Sequence, residues 1–213
     1  MAARVWIIGG AAAVGLVIFA AAVLVTAGGD IFSRASGASQ CRAASEMAEA
    51  VRPHVAGEMA AFLPLTPADI SALPFDGTGA DVTTIASLKG QTTLFNLWAT
   101  WCAPCRIEMP HLAALQDRRG GDDFAVVATS IDHNETGRPT EFLAETGAQS
   151  LAYHREPELT LFNSLKKAGL AIGMPTTLLI APDGCAAGVL HGAANWDSAD
   201  ALALIDAAVA TTR

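Results

Sequence analysis

The longest apolar run of the chain lies near its N-terminus, where residues 5–27 carry no charged side chain. The run has no polar face, unlike an amphipathic core helix, and as a helix it would span the hydrocarbon core of a bilayer, about 30 Å. It predicts one transmembrane anchor with residues 1–4 on the cytoplasmic side, because Arg4 precedes it. A cleaved signal peptide is the alternative, since VTA at residues 25–27 fits a small-residue cleavage site.

The pattern changes after the apolar run. Residues 28–39 are small and polar and predict a tether, and residues 40–213 are assigned to the exported domain. Helical spacing over residues 41–62 is interrupted by Pro53, which predicts two pieces or a kink. The following stretch is rich in proline and glycine and predicts irregular chain. It is expected to end in a small hairpin that pairs residues 83–85 with 88–90.

From residue 91 onward, short apolar runs alternate with helical patterns. The predicted strands are 92–97, 124–131, 151–153, 176–180 and 186–190, and the predicted helices are 103–119, 139–145, 157–168 and 198–209. The last two strands form a hairpin around the turn PDG at 182–184. This order predicts an α/β fold with one central mixed sheet flanked by helices.

Composition and charge exclude one large class of function. The formal net charge is −8, and no cluster of lysine and arginine is present. Nucleic-acid binding requires concentrated positive charge, so a nucleic-acid partner is not expected. Both interpretations of residues 5–27 export the remainder of the chain, to a compartment where disulfides persist.

The sharpest chemical signal is the string WATWCAPC at residues 98–105, placed between a predicted strand and a predicted helix. Cys102 and Cys105 have the spacing of a small redox-active disulfide ring. At a helix start, free backbone N–H groups and the helix dipole stabilise the Cys102 thiolate, which is the form that attacks a disulfide. The alternative is half of a zinc site, which would need a second pair of ligands nearby; Cys41 and Cys185 are isolated single cysteines.

Two strings together resemble a known family. FNLWATWCAPC at 95–105 and GMPTTLLIAPDG at 173–184 are similar to those of the membrane-tethered thioredoxin-like reductases of bacteria, the TlpA, ResA and CcmG group. The resemblance covers residues 62–213. It implies a thioredoxin fold with an N-terminal extension and one transmembrane helix. It also implies a protein-disulfide reductase that uses no metal and no other cofactor, with TlpA-like proteins as the best match.

The resemblance also assigns site residues. Met174 and Pro175 match the cis-proline position whose backbone binds substrate, although an ordinary trans bond is the statistical default. Trp101 is expected to line the partner-binding surface. Glu108 matches a buried glutamate, and a raised pKa would make it the proton acceptor for Cys105; an exposed helix carboxylate is the alternative. Asn96 stands where cytoplasmic thioredoxin has an aspartate, so that proton relay is absent here.

Cys41 and Cys185 are the two cysteines outside the motif. Exported proteins fold where thiols are oxidised to disulfides, which favours a bond between these two cysteines. The resemblance to TlpA, which has such an extra pair, implies that this bond is structural. A second redox pair that passes electrons onward is the alternative.

The resemblance finally suggests partners and a location. It implies an inner-membrane protein with its catalytic domain in the periplasm, re-reduced by a membrane thiol carrier of the DsbD or CcdA kind. The expected targets are exported disulfide-bearing proteins in cytochrome oxidase assembly, such as a Sco-type copper chaperone and the copper-site subunit. The alternatives are a reductant for cytochrome c maturation, an oxidase that makes disulfides, and a non-catalytic copper-binding protein.

Overall fold

A computed structural model describes residues 40–76, 82–133 and 138–212. The predicted anchor at residues 5–27, the segment before it and the tether at 28–39 lie outside the described residues. Among the helices that are described, none is long and apolar enough to cross a bilayer.

The described residues alternate strands and helices in the predicted order. The helices are Arg42–Val51 (α1), Ala103–Arg119 (α2), Arg138–Glu145 (α3), Thr160–Lys167 (α4) and Ala199–Ala210 (α5). The strands are Leu63–Asp69 (β1), Pro74–Asp76 (β2), Val82–Thr84 (β3), Thr92–Trp98 (β4), Phe124–Ser130 (β5), His154–Arg155 (β6), Thr176–Ile180 (β7) and Cys185–His191 (β8). Short 3₁₀ helices cover Arg52–His54, Gly57–Met59 and Ile85–Leu88.

Within these ranges the eight strands form one sheet in the order β1-β8-β7-β4-β5-β6-β2-β3. Strand β4 lies parallel to β5 and antiparallel to β7, so the sheet is mixed as predicted. Every residue of β4 is buried, which fits the continuous run TTLFNLW of a central strand covered on both faces.

The cysteine motif begins at the carboxyl end of strand β4. Residues 99–102 connect its carboxyl end to α2, and Pro104 lies in the first turn of that helix. The parallel strand β5 ends beside the same connection, because Trp98 pairs with Ser130. Polar residues that follow β5 therefore reach the loop before Cys102.

The first part of the domain differs from the prediction. The segment Leu63–Asp69 is a strand, and Pro74–Asp76 pairs with Val82–Thr84, so the expected hairpin between residues 83–85 and 88–90 is wrong. Strand β1 contains Pro64 and Pro67 and lies at the edge of the sheet, the position that tolerates prolines. Because of these prolines, the sequence analysis predicted irregular chain here and missed the strand.

Two smaller elements are displaced from their predicted positions. The strand expected at 151–153 is His154–Arg155, and the helix expected from 157 begins at Thr160. Helix α1 ends at Val51 and continues as a 3₁₀ turn that contains Pro53, the predicted interruption. Its buried face packs against α5 and β8.

Candidate active site

The two motif cysteines form a disulfide at the start of α2. The S–S distance is 2.04 Å, and the Cα atoms are 5.3 Å apart. Cys102 is the N-cap residue, and its Sγ accepts a hydrogen bond from the Cys105 backbone N–H at 3.2 Å. Cys102 retains 5% of its surface exposed, whereas Cys105 is fully buried. Cys102 is therefore the sulfur that a partner can reach.

The loop before Cys102 is held by a carboxylate. Asp132, just beyond β5, accepts hydrogen bonds from Thr100 through the backbone N–H and through Oγ1, each at 2.9 Å. Ser130 Oγ donates to Asp132 Oδ2 at 2.8 Å. The sequence analysis did not single out Asp132. The available signal was a polar residue directly after a strand parallel to the one that precedes the motif.

Glu108 lies in the protein interior one turn beyond Cys105, with no exposed surface. Its Oε1 accepts from Trp196 Nε1 at 2.5 Å and from the Ala194 backbone N–H at 3.3 Å. Its Oε2 accepts from Asn96 Nδ2 at 3.1 Å. The alternative of an exposed helix carboxylate is thus excluded.

Burial raises the pKa of Glu108 from the ordinary value of 4.5 to about 7, and the hydrogen bonds from Trp196, Asn96 and Ala194 oppose this rise. A carboxyl group with a pKa near neutrality can both accept and release a proton under ordinary conditions. The sequence analysis did not single out Trp196, whose indole N–H donates to Glu108 Oε1.

The peptide bond between Met174 and Pro175 is cis. The Pro175 carbonyl accepts a hydrogen bond from the Gly192 backbone N–H at 2.9 Å, which ties it to the segment after β8. Met174 lines the same groove as Cys102. The cysteine motif and the residue before the cis-proline therefore line one groove.

This groove has a volume of about 580 Å³ and a mostly apolar lining. Trp101 and Ile172 are 68% and 72% exposed at its walls. Leu159, Phe162 and Lys166, from the start and body of α4, complete the far side. An exposed apolar surface of this kind beside a reactive sulfur is suited to bind a peptide chain.

Cys41 and Cys185 are bonded to each other, with an S–S distance of 2.02 Å. Both are buried, at 5% and 0% exposure. The bond joins the start of α1 to the start of β8. In the β7–β8 pair, residue 185 lies at the opposite end from Pro175, because Thr176 pairs with His191 and Ile180 with Ala186. This placement separates the second disulfide from the groove.

In the ranges 40–76, 82–133 and 138–212, no group of three or more His, Cys, Asp or Glu side chains could hold a metal ion. His111, on α2, instead lies with Nδ1 at 2.6 Å from Asp197 Oδ1. Beside the cysteine pair, the described residues place the buried carboxyl group of Glu108 one turn further along α2.

A thioredoxin-like sheet, a cysteine pair at a helix start and a cis-proline in the same groove define the thioredoxin-fold redox proteins as a class. Within that class the chain belongs to the Redoxin family, whose model matches residues 66–205. This match, together with relatives of the ResA and DsbE type, confirms the sequence-based identification of a thioredoxin-like thiol-disulfide oxidoreductase family.

Individual relatives carry consistent names. A thiol-disulfide oxidoreductase ResA of Oceanobacillus iheyensis is 32% identical over 114 residues, which is 53% of this chain and 56% of the relative. A thiol:disulfide interchange protein DsbE of Pseudomonas fluorescens biotype C is 30% identical over 106 residues, 48% of this chain and 52% of the relative. The chain thus spans about half the length of these curated relatives.

A solved structure supports the same fold. The crystal structure of a DsbE-type thiol:disulfide interchange protein from Chlorobium tepidum is 27% identical, with a TM-score of 0.56. The superposition covers 68% of this chain and 99% of the other.

Proposed function

We propose that this protein is a thiol–disulfide oxidoreductase that reduces disulfides of partner proteins. The observation that carries the proposal is the Cys102–Cys105 pair at the start of α2, with one sulfur accessible from an apolar groove that Met174 also lines. The names of the relatives, which are thiol-disulfide oxidoreductases and interchange proteins, support the same activity.

The reaction starts from the dithiol form. The Cys102 thiolate attacks one sulfur of the partner disulfide, which forms a mixed disulfide and releases the other partner sulfur as a thiolate. Cys105 then loses its proton and attacks Cys102 Sγ. This step forms the Cys102–Cys105 disulfide and expels the second partner thiolate, so two electrons pass to the partner.

Glu108 is the group to which we assign the Cys105 proton. Cys105 is fully buried, so solvent does not reach its thiol directly. Glu108 lies three residues further along the same helix, and its pKa of about 7 makes it a proton acceptor at neutral pH. Glu108, whose pKa is raised by burial, thus takes the place of the aspartate that relays protons in cytoplasmic thioredoxin. This chain has Asn96 at the position of that aspartate.

The groove is the place where a partner chain would bind. An extended peptide lying along Met174 and Pro175 would present its disulfide to Cys102 and pair its backbone with the segment before the proline. The apolar walls at Trp101 and Ile172 favour partners with apolar side chains near the target cysteine.

The cellular role is the finer part of the proposal. We assign the protein to the inner membrane, held by residues 5–27, with its domain in the periplasm and a membrane thiol carrier as its electron source. The proposed targets are a Sco-type copper chaperone and the copper-site subunit of cytochrome oxidase. The uncharged apolar run supports the anchor, and the resemblance of the two motifs to TlpA-like reductases supports the targets.

Trapping tests the activity and identifies the partner in one experiment. The full-length Cys105→Ser variant is expected to stall as a mixed disulfide through Cys102, and mass spectrometry then identifies the captured protein. The matched Cys102→Ser variant is expected to capture nothing. Capture by Cys102→Ser alone would reverse the two roles, and a captured apocytochrome c would move the protein to cytochrome c maturation.

The redox potential decides the direction of electron flow. A reductant is expected to have a potential near that of thioredoxin, about −270 mV, whereas a disulfide-forming oxidase lies near −120 mV. Equilibration of the purified domain with glutathione or dithiothreitol buffers measures it. Tight stoichiometric copper binding by the dithiol form, without reduction of insulin, would instead support the copper-binding alternative.

A further inference from the structure

We propose that Trp196 is a positioning residue that confines the Glu108 proton to Oε2, by holding Oε1 permanently as a hydrogen-bond acceptor. This inference deepens the proposed function and rests on it, because it specifies the atom at which the Cys105 proton would be received.

The argument begins with the two groups that contact Oε1. The Trp196 indole N–H and the Ala194 backbone N–H both point at this oxygen, at 2.5 and 3.3 Å. Neither group can accept a hydrogen bond. A proton on Oε1 would therefore face two donors in the protein interior, where an unsatisfied polar group is costly. Oε1 remains an acceptor whether Glu108 is charged or neutral.

The other oxygen has a partner that suits both states. Asn96 Nδ2 donates to Glu108 Oε2 at 3.1 Å and to Thr177 Oγ1 at 2.9 Å. Asn96 Oδ1 is buried and has no hydrogen-bond partner among the described residues. If the amide turns over, Oδ1 takes the place of Nδ2 and can accept from both a protonated Oε2 and the Thr177 hydroxyl. Oε2 can thus gain or lose a proton without leaving a donor facing a donor.

The segment that carries Trp196 is fixed at several points. Asp197 is hydrogen-bonded to His111, and its backbone carbonyl accepts from Arg118 at 3.2 Å. Gly192, at the start of the same segment, donates to the Pro175 carbonyl. The indole N–H is consequently oriented before Glu108 changes its charge, which is what a positioning role requires.

The titratable groups around Glu108 come from two elements. Helix α2 contributes Cys105 before it and His111 after it, and the segment after β8 contributes Asp197, which is paired with His111. Strands β4 and β7 contribute Asn96 and Thr177, neither of which titrates. The hydrogen bonds to Oε1 are therefore the contacts through which Trp196 acts on the carboxyl group.

The test compares two buried tryptophans in the protein with the Cys102–Cys105 disulfide formed. Trp196→Phe removes the donor to Oε1. Trp98→Phe is the matched control, because Trp98 is equally buried and its Nε1 has no hydrogen-bond partner in the described residues. The readout is the pH titration of the Glu108 carboxyl carbon by NMR in ¹³C-labelled protein, assigned with Glu108→Gln.

Loss of a hydrogen bond to the charged form should favour the neutral acid. Trp196→Phe is expected to lower the ratio of carboxylate to acid at neutral pH about tenfold, while Trp98→Phe leaves it unchanged. An unchanged titration in Trp196→Phe, or an equal change in both variants, would overturn the inference.

A second measurement covers the case in which Trp196→Phe fails to fold. Replacing tryptophan with 5-fluorotryptophan keeps the ring and makes its N–H a stronger donor. The Glu108 titration should therefore move to lower pH. No movement, or movement to higher pH, would overturn the inference. This readout needs no turnover. If the protein failed to reduce insulin while the Glu108 titration still shifted as expected, the proposed function would be wrong and the inference about Trp196 would stand.

Discussion

Thr100 and Asp132 are joined by two hydrogen bonds across the ends of parallel strands, one from the Thr100 backbone N–H and one from its Oγ1, each 2.9 Å long. Thr100 lies two residues before Cys102, so the carboxylate fixes the turn that places the reactive sulfur. Asp132 is itself almost completely buried, at 7% exposure. The Cys102 position thus depends on a residue outside the motif.

Replacement of Asp132 by alanine should weaken both the fold and the site. It leaves the Thr100 and Ser130 donors without their acceptor, and we expect a loss of about 2 kcal/mol in the free energy of unfolding by urea. The rate of Cys102 alkylation in the dithiol form should also fall. Thr100→Val removes only the hydroxyl contact and is expected to lose about 1 kcal/mol. Equal urea midpoints for wild type and Asp132→Ala would contradict this assignment.

The Cys41–Cys185 disulfide should stabilise the protein without taking part in turnover. It closes a loop over a sequence separation of 144 residues. In the chain-entropy model its removal in the double Cys41→Ser, Cys185→Ser variant costs up to about 5 kcal/mol of unfolding free energy. Insulin reduction by the folded fraction should be retained. A folded double variant that has lost this activity would instead support a second redox pair.

Glu108 should make stability depend on pH. Its pKa in the folded protein is about 7, raised from 4.5, so the folded state binds more protons between these values. The stabilisation is fully present below pH 4.5 and is lost as the pH rises through 7, a change of about 3 kcal/mol.

Glu108→Gln removes this titration and supplies an amide that Asn96 can still bind. The difference in unfolding free energy between wild type and variant should therefore vary with pH across this window. Urea titrations of the two disulfide-bonded proteins from pH 4 to about 8 measure it. A difference that stays constant with pH would show that Glu108 does not titrate as described.

The groove should contribute to peptide binding and little to stability. Ile172→Ser is expected to raise KM for a disulfide-bearing peptide several-fold, because it removes an apolar wall that is 72% exposed. Its unfolding free energy should remain within about 0.5 kcal/mol of wild type. Ile107→Ser is the matched control, since Ile107 is 67% exposed but does not line the groove. Equal KM values in the two variants would exclude Ile172 from the binding surface.

Local signals account for what the sequence predicted well. Helix α2 has its predicted bounds, Ala103–Arg119, because Pro104 marks its first turn and Gly120 follows its end. Strand β4 was visible as a continuous apolar run. The cis bond at Pro175 came from the family resemblance, since no local pattern distinguishes it from a trans bond.

Contacts between distant residues account for what was missed. Trp196 and Glu108 are 88 residues apart in the chain, and Asp132 and Thr100 are 32 apart. Neither pairing leaves a trace in hydrophobic periodicity, which reports only which face of an element is buried. Strand β1 was missed for a different reason, because its two prolines are compatible with a strand only at an edge that sequence alone does not locate.

Residues 192–196, which follow β8, contact both the cis-proline position and the buried Glu108. Gly192 donates to the carbonyl of Pro175, and Ala194 and Trp196 donate to the carboxyl group of Glu108. An insertion or deletion of one residue within 192–196 would therefore disturb the backbone at Pro175 and the hydrogen bonds of the buried acid together.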